Sequence, residues 1–189
     1  MQRAHTLSAL TIAAILIVVA RVLSQGDVPK LSPWNTVLAA QFEYLKENGN
    51  SSCSALFAES IDGMRDSDRL RGSCCSPMSM HRYAEQVEGL KKYKDIPEIP
   101  SNPYNIEAGL AKRLKGYYDL ALTSEEQAAY DYAMINSHEK GPCCCKCWRW
   151  YVYGGLAKYL IKNHGFTGAQ ITDIWDLSDG CGGDEEHNH

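Results

Sequence analysis

The sequence lacks the short motifs that identify the common hydrolases and nucleotide-dependent enzymes. Its 189 residues contain no Ser–His–Asp motif, no phosphate-cradling glycine loop, no HExxH helix and no C-x-x-C-H site for haem attachment. The composition is that of a globular chain, with 44% hydrophobic and 22% charged residues. We therefore expect a globular protein that is not an ordinary hydrolase or nucleotide enzyme, and we favour a non-enzymatic function.

Basic residues are fewer than acidic residues. The chain has 19 Lys and Arg against 23 Asp and Glu, which gives a formal net charge of -4. The lysines and arginines form no basic stripe. Nucleic-acid-binding proteins use such a stripe to neutralise phosphates, so the sequence predicts no nucleic-acid partner.

No hydrophobic run reaches the ~20 residues that cross a bilayer comfortably. The longest, residues 6–20, follows a short basic start and precedes a region at residues 23–26 that fits a cleavage site. This pattern predicts that residues 1–24 are a secretory signal peptide. An uncleaved signal anchor is the alternative, because Arg21 lies so close to the run. In either case we expect the protein outside the cytoplasm (secreted, periplasmic or at the cell surface), with residues 6–20 as its only membrane contact.

Helix start and stop signals recur along the chain, whereas no convincing alternating strand pattern is present. The pattern predicts an all-α domain over residues 25–183, with about five to six helices, followed by a solvated polar tail at residues 184–189. Gly154 and Gly155 within one expected helix indicate close packing against a neighbour. The expected helices cover residues 33–47, 78–92, 106–120, 124–138, 142–163 and 167–177, with a further short helix near 55–61.

All eight cysteines lie after the predicted signal segment, and four of them crowd into residues 143–147. Thiolates are soft ligands that suit Cu(I), zinc and iron–sulfur clusters, and C-x-x-C spacing is common to metal sites and dithiol redox sites. We expect the run to open the helix over residues 142–163, so that three thiols share a face near the helix N-terminus. The helix dipole there favours thiolate over thiol. The predicted metal ligands of the run are Cys143, Cys144, Cys145 and Cys147.

Three further cysteines and a histidine are candidate ligands outside that run. Cys74 and Cys75 precede a second expected helix start, and the two helix starts could meet. Two methionines and His81 follow, and Cys, Met and His form the soft set that favours Cu(I), although a Met near a helix start is more often core filler. Cys181 lies between glycines that let the backbone approach closely, so it could close a metal site or form half of a disulfide.

Two other interpretations of the cysteines stay open. An exported protein meets an oxidising compartment in which paired disulfides are the usual state, and eight is an even number. The cysteines of the run are poor disulfide partners for one another, however, because a disulfide between adjacent residues is strained and closes a very small loop. The other interpretation is a thiol–disulfide oxidoreductase, which needs an exposed cysteine of low pKa beside a resolving cysteine.

A resemblance to a known family lies at residues 142–147, which read Pro142, Cys143, Cys144, Cys145, Lys146 and Cys147. This run resembles the Pro-Cys-x-Cys-x-Cys motif of the PCYCGC family of exported bacterial proteins, also described as CYCxC proteins, and a looser similarity extends over residues 128–177. Cys144 and Lys146 stand where the family has Tyr and Gly, and the family's further cysteine-bearing segment is missing. The resemblance implies an exported, metal-linked or redox-linked thiol protein of a bacterium or archaeon.

These patterns predict an extracytoplasmic protein that binds a soft metal ion, Cu(I) ahead of zinc, through its cysteines. Capture, storage or delivery of the metal is the expected role. A disulfide-stapled structural or interaction protein and a thiol–disulfide oxidoreductase are the alternatives. The sequence identifies no protein partner.

Overall fold

The structure is a computed structural model that describes residues 33–182. The chain divides into two units, Met1–Val37 and Leu38–His189, and the second contains most of the first helix and all later elements. The predicted signal segment at residues 1–24 and the predicted polar tail at residues 184–189 lie outside the described residues. None of the helices that the structure describes has the length and hydrophobicity of a membrane span.

The described residues are mostly helical, as predicted, with seven α-helices, one short 3-10 helix (Lys91–Tyr93) and two short strands. Strands β1 (Arg69–Arg71) and β2 (Asn105–Glu107) form an antiparallel pair in which Leu70 lies opposite Ile106. The helices are α1 (Pro33–Glu47), α2 (Ala55–Gly63), α3 (Met80–Leu90), α4 (Ala108–Gly116), α5 (Ser124–Asn136), α6 (Trp148–His164) and α7 (Gly168–Ser178).

Local capping explains where several helices begin and end. Thr123 and Glu126 exchange the two hydrogen bonds of a capping box at the start of α5, and Thr167 and Gln170 do the same at α7. Gly165 takes a left-handed φ of 64° and closes α6. Reciprocal side-chain and backbone hydrogen bonds therefore fix where α5 and α7 begin.

Helix α6 lies at the centre of the main hydrophobic core and packs against α2, α4, α5 and α7. The predicted close packing at its paired glycines is confirmed. A Cβ on Gly155 would lie 1.9 Å from the carbonyl oxygen of Leu114 in α4, and one on Gly154 would lie 2.8 Å from the ring of Tyr118. A second apolar cluster joins α1 and α3 through Leu38, Phe42, Leu45, Met78, Tyr83, Val87 and Tyr104.

The helix predicted over residues 106–120 is wrong at both ends. Its first residues belong to β2, and α4 covers only Ala108–Gly116. The strand forms because residues 105–107 pair with β1, which lies more than thirty residues earlier in the chain. Helical spacing within the segment contains no information about that partner.

Candidate metal centre

The eight cysteines come from four separate segments of the described chain and meet in one cluster. Cys53 lies just before α2, and Cys74 and Cys75 follow β1. Cys143, Cys144, Cys145 and Cys147 precede α6, and Cys181 follows α7. The central helix α6 and its neighbour α7 thus place two of the four segments, while the β1–β2 pair anchors a third.

The cysteine run does not lie in a helix, so the prediction of a shared helical face is wrong. Helix α6 begins at Trp148, and residues 141–147 form turns and bends. Lys140 takes a left-handed φ of 52°, which separates the end of α5 from the run. The amide of Cys147 then donates to the carbonyl oxygen of Cys145 at 2.8 Å, so the chain folds back on itself immediately before the helix.

The second expected helix start is also displaced. Helix α3 begins at Met80 rather than at residue 78, and its N-cap residue is Ser79. Cys74 and Cys75 therefore lie in an irregular segment between β1 and α3. The two cysteine segments do meet, as expected, but through loops rather than through two helix N-termini.

Backbone hydrogen bonds hold the loop of Cys74 and Cys75 against the loop of Cys181. The amides of Cys74 and Cys75 donate to the carbonyl oxygens of Gly180 and Cys181, each at 3.2 Å, and the amide of Ser76 donates to Cys181 at 2.7 Å. Gly182 makes this approach possible, since its φ is 82° and a Cβ there would lie 2.1 Å from the carbonyl oxygen of Ser76. Two loops from distant parts of the chain therefore present their thiols side by side.

The sulfur atoms lie close together. Sγ–Sγ distances are 2.9 Å for Cys53–Cys75, 3.0 Å for Cys144–Cys181 and 3.1 Å for Cys143–Cys181. Three further pairs lie slightly farther apart, at 3.5 Å for Cys143–Cys147, 3.7 Å for Cys75–Cys144 and 3.8 Å for Cys74–Cys75. All eight cysteines are free thiols, since a disulfide bond would bring two sulfurs to about 2.05 Å.

The sulfurs form five groups of three in which every sulfur lies within 4.8 Å of the other two. Two thiolates on one tetrahedral ion lie about 3.8 Å apart when each metal–sulfur bond is about 2.3 Å. Each group is therefore compact enough to hold a metal ion. The groups are Cys53, Cys145 and Cys147; Cys53, Cys74 and Cys75; Cys74, Cys143 and Cys147; Cys75, Cys144 and Cys181; and Cys143, Cys144 and Cys145.

Burial differs sharply across the centre. Cys143, Cys147 and Cys181 are only 1–3% exposed, whereas Cys75 is exposed. The remaining cysteines are half-buried, and the half-buried Trp150 packs against the cluster. The centre therefore has a closed side within the fold and an open side at Cys75.

Sulfur–sulfur hydrogen bonding distributes the protons unevenly among the thiols. Hydrogen bonds from Cys143 and other neighbouring thiols hold the pKa of Cys74 far below its usual range and lower the pKa of Cys144 to about 5. Burial raises the pKa of Cys53 and of Cys75. In the reduced, metal-free protein, these pKa shifts favour thiolate at Cys74 and Cys144 and protonated thiol at Cys53 and Cys75.

Arg149 lies beside the cluster and is almost fully buried. Burial acts to lower the pKa of its guanidinium, but the negative charges of Cys74 and of other nearby thiols, together with that of Tyr153, outweigh this effect, so the pKa is raised. The guanidinium donates to the carbonyl oxygens of Pro103 at 2.6 Å and Gly72 at 3.0 Å. A permanent positive charge therefore lies inside the fold, next to the thiols.

The eight sequence-predicted ligands do not all come together. The seven predicted cysteines join the cluster, but His81 is exposed and belongs to none of the five groups. Met78 lies in the second apolar cluster, where it packs as a core residue. Cys53 is a cluster member that the motif analysis missed, because it has no neighbouring cysteine or glycine turn. The only signal in the sequence was that it is one of the eight cysteines.

A dense cluster of eight cysteines without disulfide bonds, able to form metal-binding groups, is thus the main chemical feature of the described residues. No protein-family model, curated protein or solved structure matches this chain. The members of the five groups are all cysteines, and no histidine, aspartate or glutamate of the described residues joins them.

Proposed function

We propose that this protein is an extracytoplasmic soft-metal-binding protein that captures, stores or delivers copper as Cu(I), with zinc as the second choice. The observation that carries the proposal is the meeting of eight free cysteine sulfurs from four chain segments in a single cluster. Few other arrangements of side chains bind a soft cation so specifically, because thiolate is the softest ligand that proteins possess.

The ligand set argues against hard cations. Calcium and magnesium take oxygen ligands, and all members of the five groups are sulfur ligands. An iron–sulfur cluster is also a poor fit. Cysteines bind such clusters from separate corners around a core of inorganic sulfide, whereas these sulfurs lie as close as 2.9 Å to one another.

The grouping of the sulfurs favours Cu(I) over zinc. Structural zinc sites use four ligands in a tetrahedron. Each of the five groups here has three members, which suits the trigonal coordination that Cu(I) adopts with thiolates. Zinc would require a fourth ligand to move towards one of these groups.

A location outside the cytoplasm is part of the proposal. Its support is the basic start and apolar run within residues 1–24, together with the resemblance of residues 142–147 to the PCYCGC family of exported proteins. Binding rather than turnover is proposed because the centre consists of thiols and the chain has none of the common catalytic motifs.

The proposal is tested by metal analysis combined with a free-thiol count. The reduced full chain, kept free of oxygen, is titrated with Cu(I) in the presence of a chromogenic Cu(I) chelator, and then with zinc. We expect the protein to take Cu(I) from the chelator and its thiols to become unreactive as it does so. A protein that takes up neither metal while its eight thiols react freely would contradict the proposal.

Two variants sharpen the test. Cys147→Ser removes a sulfur that belongs to two groups, and we expect it to lower Cu(I) capacity. His81→Ala is the matched control, because His81 is exposed and lies outside all five groups, and we expect it to keep the full capacity. An equal loss in both variants would mean that the cluster is not the binding site.

A disulfide framework is the second candidate, and one observation favours it. Cys53 lies 2.9 Å from Cys75, and Cys144 lies 3.0 Å from Cys181, so small shifts would allow both pairs to be oxidised. Mass spectrometry of the untreated protein separates the two candidates. A mass lower by eight hydrogens with no metal bound would favour the disulfide framework over metal binding.

A further inference from the structure

We propose that the eight thiols bind one polynuclear metal–thiolate cluster, in which sulfurs bridge neighbouring ions, and that Arg149 supplies its counter-charge inside the fold. This inference rests on the proposed soft-metal function. It adds the nuclearity of the centre, its net charge and a residue that is not a metal ligand.

The overlap between the sulfur groups carries the polynuclear part. Seven of the eight sulfurs belong to two groups each, and Cys181 belongs to one. A thiolate sulfur has enough lone pairs to bind two ions at once. If ions occupy two groups that share a sulfur, they lie no more than about 4.6 Å apart, which is twice a metal–sulfur bond of about 2.3 Å. The arrangement thus fits bridged ions rather than isolated ones.

A site for a single ion would use only some of the eight sulfurs. One ion uses three or four sulfurs, and the other thiols would stay crowded together at distances of 2.9–3.8 Å. Outside the ligands of that one ion, the crowded sulfurs would be joined only by weak S–H hydrogen bonds. Several bridged cations satisfy all eight sulfurs at once.

The charge of a filled cluster follows from its ligands. One Cu(I) ion in each of the five groups would balance five of the eight thiolate charges and leave a net charge of about -3. The closed side of the centre, with Cys143, Cys147 and Cys181, is buried in the fold. A buried net charge is costly unless an opposite charge lies beside it.

Arg149 has the features expected of that opposite charge. It is 1% exposed, and none of the ion pairs among the described residues includes it. Its two hydrogen bonds go to neutral carbonyl oxygens, and its Nε atom has no partner within the described part of the chain. Gly180 leaves room for the guanidinium directly beside Cys181, since a Cβ on Gly180 would lie 2.1 Å from Nη1 of Arg149. A buried arginine without a carboxylate partner is explained by an anionic cluster next to it.

The nuclearity is tested on the wild-type full chain. The reduced protein is titrated with Cu(I), the number of bound ions is read by native mass spectrometry, and the loaded protein is studied by X-ray absorption. We expect several Cu(I) ions per chain, only sulfur ligands and a metal–metal scattering path. One ion per chain, or several ions without a metal–metal path, would overturn the inference while the soft-metal function stands. No uptake of Cu(I) would overturn both.

The role of Arg149 is tested by paired substitutions. Arg149→Gln removes the charge but keeps hydrogen-bond donors, and we expect apparent Cu(I) affinity to fall at least about tenfold. Arg149→Lys keeps the charge, and we expect it to retain most of the affinity. Circular dichroism of both variants shows whether they fold, and the loss must appear in folded protein. Equal affinities for the Gln and Lys variants would overturn the counter-charge role. If the Gln variant does not fold, a Lys variant that folds but binds as weakly as a cysteine variant overturns it as well.

Discussion

The Gly182→Ala substitution offers the sharpest test of how the fold assembles the centre. Gly182 has a left-handed φ of 82°, and a Cβ there would lie 2.1 Å from the carbonyl oxygen and 2.8 Å from the carbonyl carbon of Ser76. Both are backbone atoms, so no side-chain rotation can relieve the clash. The loop of Cys181 must move away from the loop of Cys74 and Cys75, and the hydrogen bonds between the two loops must lengthen or break.

A matched control separates this clash from the cost of the backbone conformation. Gly165 also has a left-handed φ, 64°, but a Cβ there would meet no atom within 4 Å. Gly165→Ala should therefore cost only the conformational penalty of about 1–2 kcal/mol in the free energy of unfolding. Gly182→Ala adds an overpacking cost of about 1–3 kcal/mol. We expect a total of about 2–5 kcal/mol for Gly182→Ala.

Two measurements check this expectation. Urea unfolding of the reduced, metal-free full chain, followed by far-UV circular dichroism, gives the two free energies of unfolding. Competition with a Cu(I) chelator gives the affinity of each variant, and we expect only Gly182→Ala to weaken it, because Cys181 moves away from Cys143 and Cys144. Equal losses of stability in the two variants, or unchanged Cu(I) binding by Gly182→Ala, would refute the reasoning.

Three further predictions concern the packing and the chemistry of the thiols. Gly155→Ala should lower the free energy of unfolding by about 3 kcal/mol or more, because its Cβ would clash with the backbone of α4. A Cβ on Gly116 would meet no atom within 4 Å, so Gly116→Ala should raise the free energy of unfolding by about 0.5–1 kcal/mol. Denaturant unfolding measures both changes. Cys75 is the exposed edge of the centre, so Cys75→Ser should mainly slow the transfer of Cu(I) to an external chelator, as measured by stopped flow, and lower the number of bound ions less. Cys147 is buried, so Cys147→Ser should mainly lower the number of bound ions and affect the transfer rate less. In the reduced, metal-free protein the pKa of Cys144 is lowered to about 5. Its rate of alkylation, followed by mass-spectrometric mapping, should therefore stay high as the pH falls from about 9 and decrease only below about pH 5. A rate that already decreases at pH 8 would contradict a thiolate at Cys144.

Local signals in the sequence determined the helical class and many element bounds. The capping boxes at Thr123 and Thr167 act within four residues, so the sequence contains all the information that they need. The paired glycines of α6 indicated a close helix contact because glycine inside a helix is costly without one. The density of cysteines likewise pointed to thiol chemistry before any contact was known.

The assembly of the centre depends on contacts between distant parts of the chain, and only the tertiary structure decided it. Cys53 joins Cys75 across 22 positions, and Cys143 joins Cys181 across 38, and no periodic pattern links such positions. The turn at Lys140 moved the cysteine run out of the helix that its spacing had predicted. The buried charge of Arg149 is a tertiary feature as well, because the sequence shows an arginine but not its burial. The sequence thus determined which thiols are present. The packing of loops around α6 decided that they lie close enough for one sulfur to belong to two groups, because such distances are set only by the folded chain.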